Sequence, residues 1–458
     1  APWAPESSRH DGAMAASSKI IVIDDDPTGS QTVHSCPLLL RWDAATLAAG
    51  LRHPSPLLFL LANTRALAPE AAAERVRQIC RALAAALPLA GIERWWLVSR
   101  GDSTLRGHFP LEVEVIAAEL GPFAATLLIP AFFEGGRTTV EGVHRLHGQP
   151  VHETAFARDR LFGYASSDLP VWVEEKSGGR IAAHQVQRLT GAELDYAAGD
   201  GGQALAERLA ALDGGPVVAV DGERPEQLAA LAQVVRQAWP LPVLSQSAAS
   251  WIQALAALPP QPLAGAALAR LRRPKPGLVL VGSHVPLADA QLTQLLTEPG
   301  CVGLELPVAK LARLLEGPLP EPLLASLEAD WLVQLRRVLA QGQTPVLYTS
   351  RGELQCDSVA QRRRLGDALA ALMARLAAAL APQLGYLISK GGITTHTLLA
   401  DGLALAAVEL QGQLLPGLSL VLADLPEPLP VLTFPGNLGD GDTLRLAWRW
   451  MEGLESAD

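Results

Sequence analysis

Three adjacent aspartates, Asp24, Asp25 and Asp26, follow the hydrophobic run IIVI and lead into a Pro-Thr-Gly turn. Neighbouring carboxylates repel one another, so a purely structural role is costly unless each of them reaches water, a cation or hydrogen-bond donors. An aspartate at the end of a first strand can accept a proton from a substrate hydroxyl or hold a magnesium-bound phosphate. Asp25 and Asp26 are therefore the candidate catalytic residues, and a solvated turn is the structural alternative.

A second polar segment, SRGDSTLRG, contains Asp102, Ser103 and Arg106 directly after another hydrophobic run. A carboxylate, a hydroxyl and a planar guanidinium together suit a polyhydroxylated carboxylate or a phosphate. The alternative is a helix start with an N-cap side chain and a solvated arginine. Arg65 in LANTRAL and Arg137 in FFEGGRTTVEG stand in similar settings, so the three arginines together predict a crevice for an anionic small molecule.

Three glycine-containing loops follow hydrophobic runs in the second half of the chain, after GLVLV, YLISK and VLTFP. Glycine lets backbone amides approach phosphate oxygens, and a helix that begins just after such a loop adds a favourable dipole. The loops predict a nucleotide-phosphate cradle, with ordinary tight turns as the alternative, and no Walker-type GxxxxGK[ST] sequence is present. The candidate nucleotide-binding residues are Ser283, Gly391, Gly392, Ile393, Thr394, Gly436, Asn437 and Gly439.

A histidine-rich stretch, EGVHRLHGQPVHE, contains His144, His147, His152 and Glu153. Its spacing fits no strong zinc pattern, so loop structure or substrate contact is the favoured interpretation and the identity of any metal ligands stays open.

Hydrophobic runs alternate with long Ala/Leu/Arg stretches of helical period, a pattern typical of an α/β fold with a largely parallel or mixed sheet. In such sheets the loops at the carboxyl ends of the strands form the binding crevice. Strands are predicted at Lys19–Asp24, Pro56–Ala62, Arg94–Ser99, Ala125–Pro130, Pro216–Val220, Pro345–Thr349 and Gly385–Ser389, and in GLVLVGS. Helices are predicted at Pro69–Leu87, Leu111–Leu120, Gln203–Leu212, Pro225–Trp239 and Leu365–Leu380.

Two α/β domains are predicted from the composition along the chain. Residues 256–276 combine proline with positive charge, which is typical of a linker between a domain at 19–255 and a domain at 277–458. Residues 1–18 lack the apolar core of a secretory signal and are expected to be a flexible extension.

Composition narrows the class of protein but indicates no chemistry. The 458 residues are 49% hydrophobic and 18% charged, which excludes a disordered chain, and the formal net charge of −10 makes nucleic acid an unexpected partner. The visible apolar runs are shorter than the roughly 20 residues that a membrane span needs. Four scattered cysteines without CxxC pairing favour reduced thiols and a cytoplasmic protein.

The chain resembles the four-carbon acid sugar kinases. The matching motifs are DDDPTGS, NTRALAPEAAAERV, SRGDSTLRG, PAFFEGGRTTVEG, ETAFARD, VGSH, YTSR, SKGGITT and PGNLGDGDTL, which extend from Asp24 to Leu444. The resemblance implies an N-terminal domain that binds the sugar acid near Asp25, Asp26 and the other candidate residues of the first half. It also implies a C-terminal domain that binds ATP at the glycine loops, with the active site in the cleft between the domains.

The expected activity is therefore ATP-dependent phosphorylation of a hydroxyl of a small sugar acid, with Mg²⁺ as the accompanying ion and a homodimer as a possible assembly. Two alternatives stay open. The sequence IVIDDDPT also fits the hhhhDxDxT pattern of haloacid-dehalogenase-type phosphatases, in which Asp24 would be the nucleophile and Asp26 the acid/base. The other alternative is a non-catalytic sensor of sugar acids or nucleotides.

Overall fold

The computed structural model describes residues 18–29, 32–238, 242–263, 265–318, 320–351, 356 and 358–455. The predicted extension at 1–18 lies outside these residues except for Ser18, which begins the first strand, and so does Trp239 at the end of a predicted helix. The strands are β1 (Ser18–Asp24), β2 (Cys36–Leu39), β3 (Leu57–Leu61), β4 (Arg94–Arg100), β5 (Ala125–Ile129), β6 (Arg137–Val140), β7 (Val143–Leu146), β8 (Gln149–Pro150), β9 (Gln187–Leu189), β10 (Val217–Val220), β11 (Val243–Ser247), β12 (Leu278–Val281), β13 (Cys301–Leu306), β14 (Thr344–Thr349), β15 (Leu387–Lys390), β16 (Ala407–Leu415), β17 (Leu418–Ala423) and β18 (Leu429–Phe434).

The α-helices lie between these strands, mostly as the crossovers that parallel strands require. They are α1 (Ala44–Arg52), α2 (Pro69–Leu89), α3 (Leu111–Leu120), α4 (Leu169–Lys176), α5 (Gly191–Ala198), α6 (Gly202–Ala210), α7 (Pro225–Gln237), α8 (Ala249–Ala256), α9 (Gly265–Ala269), α10 (Pro286–Leu295), α11 (Val308–Leu315), α12 (Pro320–Ala340), α13 (Val359–Leu380), α14 (Gly392–Thr397) and α15 (Thr443–Glu452).

Fifteen of the strands form one sheet in the order β13-β14-β12-β15-β18-β17-β16-β2-β3-β1-β4-β11-β5-β10-β9. Most neighbouring pairs are parallel, and the pairs β2·β16, β16·β17 and β17·β18 are antiparallel. The three remaining strands, β6, β7 and β8, make a small separate sheet. The predicted α/β architecture with a largely parallel or mixed sheet is confirmed.

The central strands of the main sheet carry hydrophobic residues on both faces because helices cover both faces of the sheet. In β1, Ile20 and Val22 belong to one core cluster, while Ile21 and Ile23 belong to another. Successive side chains of a strand point to opposite faces, so a strand covered on both sides must be apolar at every position. This explains why β1 and β3 read as continuous hydrophobic runs rather than alternating ones.

Strand register brings the carboxyl ends of the strands together in each half of the sheet. Asp24 of β1 and Ser247 of β11 both lie opposite Arg100 of β4, so the loops after these three strands emerge side by side. In the second half, Lys390 of β15 lies between Val281 of β12 and Phe434 of β18. In each half, the predicted site residues therefore follow strands whose carboxyl ends lie side by side in the sheet.

The two halves of the sheet are joined by β2 and β16. Leu38 pairs with Val408 and Leu39 with Ala407, so a strand from the first half is hydrogen-bonded to one from the second. The connection between the halves is therefore not limited to residues 256–276, the predicted linker, which contain α9 and are described except for Ala264.

One described helix, Ala360–Gln383, is long and apolar enough by composition to cross a bilayer. In the most apolar stretch of this helix, 56% is buried inside the protein, and Leu369, Leu372 and Leu376 are part of the core. Core helices pass the same test, so this feature is weak evidence for a membrane span.

Candidate functional site

Asp25 and Arg65 form the centre of the site in the first half of the chain. Arg65 donates from Nε to Asp25 Oδ2 at 2.9 Å and from Nη2 to Asp25 Oδ1 at 2.6 Å. Its Nη1 also lies 3.6 Å from Asp26 Oδ2 and 3.9 Å from Asp102 Oδ1. One guanidinium therefore holds together the predicted catalytic aspartates and the predicted substrate-binding aspartate.

Asp26 is the aspartate that reaches the second half of the chain. A Cβ atom at Gly392 would lie 2.5 Å from Asp26 Oδ2, so the carboxylate packs where only glycine leaves room. Burial acts to raise the pKa of Asp26, but the charge of Arg65 and hydrogen bonds from Thr28 outweigh it and lower the pKa below its ordinary value. Asp26 is thus an ionised carboxylate beside the first turn of α14.

Asp24 has the opposite electrostatic character. Its side chain is buried, and its Oδ2 atom has no hydrogen-bond partner among the described residues. Burial raises the pKa of Asp24 to about 8, with the negative charges of Asp25 and Asp26 adding to the shift and Arg100 opposing it. Asp24 therefore carries its proton at neutral pH.

The loop after β4 brings Asp102 and Arg106 into the same cluster. Arg106 donates from Nε to Asp102 Oδ2 at 2.7 Å and stacks over the ring of Phe156, 5.1 Å from the ring centre. Burial opposes ionisation of Asp102, yet Arg106 and Arg65 keep its pKa far below the ordinary range. Two of the three arginines predicted to bind an anion, Arg65 and Arg106, are thus already paired with aspartates of the site.

Ser103 and Arg137 lie close to this cluster but not in its ion-pair network. Ser103 is buried. Arg137 is also buried, donates from Nη1 to the carbonyl of Gly135 at 2.5 Å, and leaves Nε without a hydrogen-bond partner in the described chain. Its pKa is lowered by burial, with the charges of Asp102 and Arg106 acting on it in opposite directions.

A pocket with an empty volume of about 350 Å³ opens beside the cluster. Three predicted residues, Asp25, Asp102 and Arg106, line it, whereas Asp26, Arg65, Ser103 and Arg137 do not. Sequence reasoning missed the other polar and aromatic residues of the lining. These are His108, Phe109, Glu112, Trp172, Gln246 and Ser247.

Glu112 is the most notable of the missed residues. It is buried in the first turn of α3, where Thr64 Oγ1 donates a hydrogen bond to its Oε1 atom. Burial raises the pKa of Glu112 to about 7, and the charge of Asp25 adds to the shift. An acidic residue at a helix N-terminus is ordinary on dipole grounds, so the sequence carried no signal that this one faces a pocket.

His144, in the histidine-rich stretch, holds the loop that carries Ser103. His144 is buried, its Nε2 donates to the carbonyl of Ser103 at 2.7 Å, and its Nδ1 accepts from Thr139 Oγ1 at 2.9 Å. Burial lowers the pKa of His144 to about 4, which keeps the ring neutral. Within the described chain, no group of three or more His, Cys, Asp or Glu side chains is arranged to hold a metal ion.

The three glycine loops of the second half interlock. A Cβ atom at Gly282 would lie 1.9 Å from Thr394 Oγ1, one at Gly391 would lie 3.3 Å from the Ser283 nitrogen, and one at Gly436 would lie 2.7 Å from Ser283 Oγ. Gly391 also has φ of +115°, a conformation that other residues rarely adopt. The loops are thus brought together by contacts that require glycine.

The remaining predicted loop residues are less tightly held. The side chain of Ile393 is exposed and Asn437 is partly exposed, while Gly439 has φ of +84° and packs against Thr443. Gln291 donates from Nε2 to the carbonyls of Leu438 and Asp440, which fixes the loop that contains Gly439. The structure therefore groups Ser283, Gly391, Gly392, Thr394 and Gly436 most closely.

The arginine–aspartate cluster lies in the first half of the chain and the glycine loops lie in the second, and this arrangement agrees with two family models. Residues 20–255 match a model described as a sugar-binding N-terminal domain, and residues 278–444 match one described as a nucleotide-binding C-terminal domain. The chain belongs to the four-carbon acid sugar kinase family.

Two curated relatives of this four-carbon acid sugar kinase family member match part of it. A D-erythronate kinase of Heliobacterium modesticaldum is 32% identical over 151 residues, which are 31% of this chain and 32% of that protein. A D-threonate kinase of Bordetella bronchiseptica is 30% identical over 223 residues, which are 47% of this chain and 49% of that protein. The matches thus span between about a third and a half of these relatives.

Solved structures share the fold over nearly the whole chain. A protein from Salmonella typhimurium LT2 has a TM-score of 0.65 at 18% identity, and the match covers 94% of this chain and 98% of that one. A Haemophilus influenzae protein has a TM-score of 0.58 at 16% identity, with 95% and 99% covered. At these identities the likeness concerns the fold alone.

Proposed function

We propose that the protein is an ATP-dependent kinase that phosphorylates a hydroxyl of a small sugar acid, in the size class of erythronate and threonate. The names of the two curated relatives and the sugar-binding and nucleotide-binding family models support this proposal. The observation that carries it is the position of Asp26. This carboxylate contacts the arginine cluster of the first half and Gly392 of the second, where acid and nucleotide have to meet.

The proposed acid site is the cluster around Arg65 and Arg106. Each guanidinium already pairs with an aspartate, so a bound substrate carboxylate shares these cations with Asp25 and Asp102 rather than finding them free. Sugar hydroxyls can donate to the same carboxylates, which accept hydrogen bonds only. A ligand with both a carboxylate and hydroxyls satisfies this arrangement better than a simple anion does.

Asp26 is the proposed base because it is ionised and adjoins both halves. In the proposed step the substrate hydroxyl oxygen forms a bond to the γ-phosphorus of ATP, the bond between that phosphorus and the bridging oxygen breaks, and ADP leaves. The hydroxyl proton passes to an oxygen of Asp26. The glycine loops hold the phosphate chain through backbone amides, and exclusion of water suppresses transfer to solvent.

Magnesium fits this arrangement without a dedicated cluster of protein ligands. Mg²⁺ usually keeps several waters and is held by one or two carboxylates together with substrate phosphates, so a cluster of three protein ligands is not required. When bound, the ion supplies charge compensation for the phosphate chain.

The phosphatase alternative requires Asp24 to be an ionised nucleophile. Asp24 is instead buried, and burial raises its pKa to about 8, so it carries its proton at neutral pH. These observations favour the kinase over the phosphatase.

A coupled assay of ADP release with Mg²⁺, ATP and a panel of four- to six-carbon sugar acids tests the proposal. We expect turnover with at least one four-carbon acid and a loss of about 10²-fold or more in kcat for Asp26→Asn, the usual contribution of a general base. Phosphate release from phosphorylated sugars without ATP would overturn the proposal in favour of a phosphatase. Tight acid binding without any turnover across the panel would instead indicate a sensor.

A further inference from the structure

Two cationic side chains that no motif singled out as site residues lie beside the glycine loops of the second half. Lys390 is the last residue of β15, and Arg351 follows β14. Both strands end at the edge where Gly282–Ser283, Gly391–Thr394 and Pro435–Gly439 converge.

Lys390 is fully buried, and burying a charged ammonium is costly in free energy unless the charge is paired and hydrogen-bonded. Its Nζ donates to the carbonyl of Pro435 at 3.0 Å and lies 4.0 Å from the centre of the Phe434 ring. An ammonium has three donors, and no carboxylate takes part in either contact. A lysine that served only to anchor the Pro435 loop would be expected to have a buried counter-ion, and the described contacts of Lys390 include none.

Arg351 lies on the other side of Ser283. It donates from Nη2 to the Ser283 carbonyl at 2.6 Å and from Nε to Asp289 Oδ1 at 2.5 Å. Its Nη1 is buried and has no hydrogen-bond partner among the described residues. The guanidinium therefore has one donor group left over at the loop that also carries Gly282.

We propose that Lys390 and Arg351 form a cationic floor beneath the glycine loops that balances the phosphate charge of the bound nucleotide, with Lys390 taking up a proton as the phosphates arrive. The inference rests on the proposed kinase function and adds the residues that supply the charge. Backbone amides alone carry only partial charges, whereas a nucleoside triphosphate brings several full negative charges.

The electrostatics of the glycine loops agree with proton uptake. Burial lowers the pKa of Lys390 to about 7, and the positive charge of Arg351 adds to the shift. Phosphates that approach from the loops favour the charged lysine and raise this pKa again, so near pH 8 binding draws in a proton. The other titratable and charged groups on the surrounding segments are His284, Asp289, His396, Asp440 and Asp26.

His396 does not account for proton uptake near pH 8. Burial lowers its pKa below the ordinary value of 6.5, so the ring is neutral at that pH. The carboxyl of Asp440 accepts from Thr443, which lowers its pKa, and it stays ionised throughout. Asp24, with a pKa of about 8, also titrates in this range, so the difference in proton uptake between the wild type and Lys390→Met is the quantity that reports on Lys390.

The test is isothermal titration calorimetry of ATP, ADP and AMP with Mg²⁺ near pH 8, in buffers that differ in ionisation enthalpy. The dependence of the binding enthalpy on the buffer gives the number of protons taken up. We expect a fraction of a proton per ATP in the wild type and none in Lys390→Met. Arg351→Gln should weaken ATP binding by about tenfold or more, the usual effect of losing a charge-assisted contact, and AMP binding much less.

Two matched controls change the same residue types on the surface of the same half. Lys275→Met and Arg375→Gln remove cations that pair with Glu427 and Glu328, and we expect them to leave ATP affinity and proton uptake unchanged. Circular dichroism checks that each variant is folded. Arg351→Gln, whose side chain is partly exposed, gives an independent test if Lys390→Met does not fold.

The outcomes separate the two proposals. If the wild type binds no nucleotide, the kinase function fails. If the wild type binds ATP, but proton uptake persists in Lys390→Met, or ATP affinity changes less than twofold in Arg351→Gln, the cationic floor is wrong and the kinase function stands.

Discussion

Burial and charge give three consecutive aspartates three different states. Asp24 is buried, lies 4.0 Å from Arg100 Nε and still keeps its proton, Asp25 accepts hydrogen bonds from Nε and Nη2 of Arg65, and Asp26 is ionised beside Gly392. The sequence alone cannot show which of these neighbouring carboxylates is best suited to act as the base. That depends on which of them Arg65, 39 or more positions away, contacts in the fold. The structure therefore favours Asp26 over Asp25 as the base.

The protonated state of Asp24 has a consequence for stability. Its carboxyl binds a proton more tightly in the folded chain, with a pKa of about 8, than in the unfolded chain, where the value is near the ordinary 3.8. The free energy of unfolding of the wild type therefore falls as pH rises between these values, by at most about 1.4 kcal/mol per pH unit from this group.

Asp24→Asn should remove this contribution, since the amide does not titrate and has a donor where the protonated carboxyl has its O–H. We expect the stability of the variant relative to the wild type to increase from pH 5 to pH 9, measured by urea unfolding. The exposed Asp213→Asn is the control. A difference between Asp24→Asn and wild type that is constant with pH would show that Asp24 is ionised in the folded protein.

Replacement of Arg106 should change the KM for the acid much more than the KM for ATP. Arg106→Ala removes one charge-assisted contact to the proposed acid, worth about 1.5–3 kcal/mol, and should raise KM for the acid roughly 10- to 100-fold while KM for ATP changes little. Initial rates at varied acid and ATP check this. Arg180→Ala, which removes an exposed arginine paired with Glu114, is the control. Equal increases in both KM values would contradict the placement of Arg106 at the acid.

At the scale of elements, the small sheet β6–β8 and the segment after it hold the loop that carries Asp102 and Arg106. His144 of β7 donates to the Ser103 carbonyl, and Tyr164 donates from its hydroxyl to the Thr104 carbonyl at 2.6 Å. Leu105 in this loop has φ of +65°, which is unfavourable for a residue with a branched side chain. The two hydrogen bonds offset that cost from outside the main sheet.

Tyr164→Phe tests whether this support matters for function. The loss of one buried hydrogen bond should cost about 1 kcal/mol of stability and leave the Thr104 carbonyl without its partner, so the loop that carries Arg106 loosens. We expect KM for the acid to rise several-fold with kcat for saturated enzyme reduced less. Tyr196→Phe, at a side chain that is 62% exposed, is the control. Unchanged KM in Tyr164→Phe, together with the expected loss of stability, would make the contact purely structural.

The elements that the sequence predicts best are the strands buried on both faces. β1, β3, β4, β5, β10 and β12 each contain a predominantly apolar run, and the structure has each of them within one or two residues of the prediction. β11, with the sequence VLSQS, was missed because its buried Ser245 and Gln246 interrupt the apolar pattern at the pocket. β16 was missed because its residues alternate between buried and partly exposed along AVELQGQLL, as in a strand covered on one face.

At the scale of the whole molecule, no local pattern could predict that β2 and β16 join the halves. The pairing brings together residues more than 360 positions apart, and β2 itself is only four residues long. The grouping of the candidate residues at neighbouring strand ends is easier to predict than this junction, because each candidate residue follows the end of its own strand. The clustering of Asp25, Asp26, Arg65, Asp102 and Arg106 needed only the rule that carboxyl ends of parallel strands meet.

The junction should make the two halves unfold together. Leu38 of β2 is almost fully buried and pairs with Val408 of β16, which is also buried. Leu38→Ala removes apolar contacts from the core cluster where the halves meet, at a cost of about 2–5 kcal/mol. We expect a single calorimetric transition in the wild type and two resolved transitions in Leu38→Ala.

Leu292→Ala provides the comparison, because Leu292 of α10 is similarly buried but lies in the core of the second half. It should lower the unfolding temperature by a comparable amount without splitting the transition, since the β2·β16 pairing is intact. A split in both variants, or in the wild type, would mean that the halves are thermodynamically independent in spite of the shared sheet. In that case Asp26 and Gly392 would be held together by bound substrates and not by the fold.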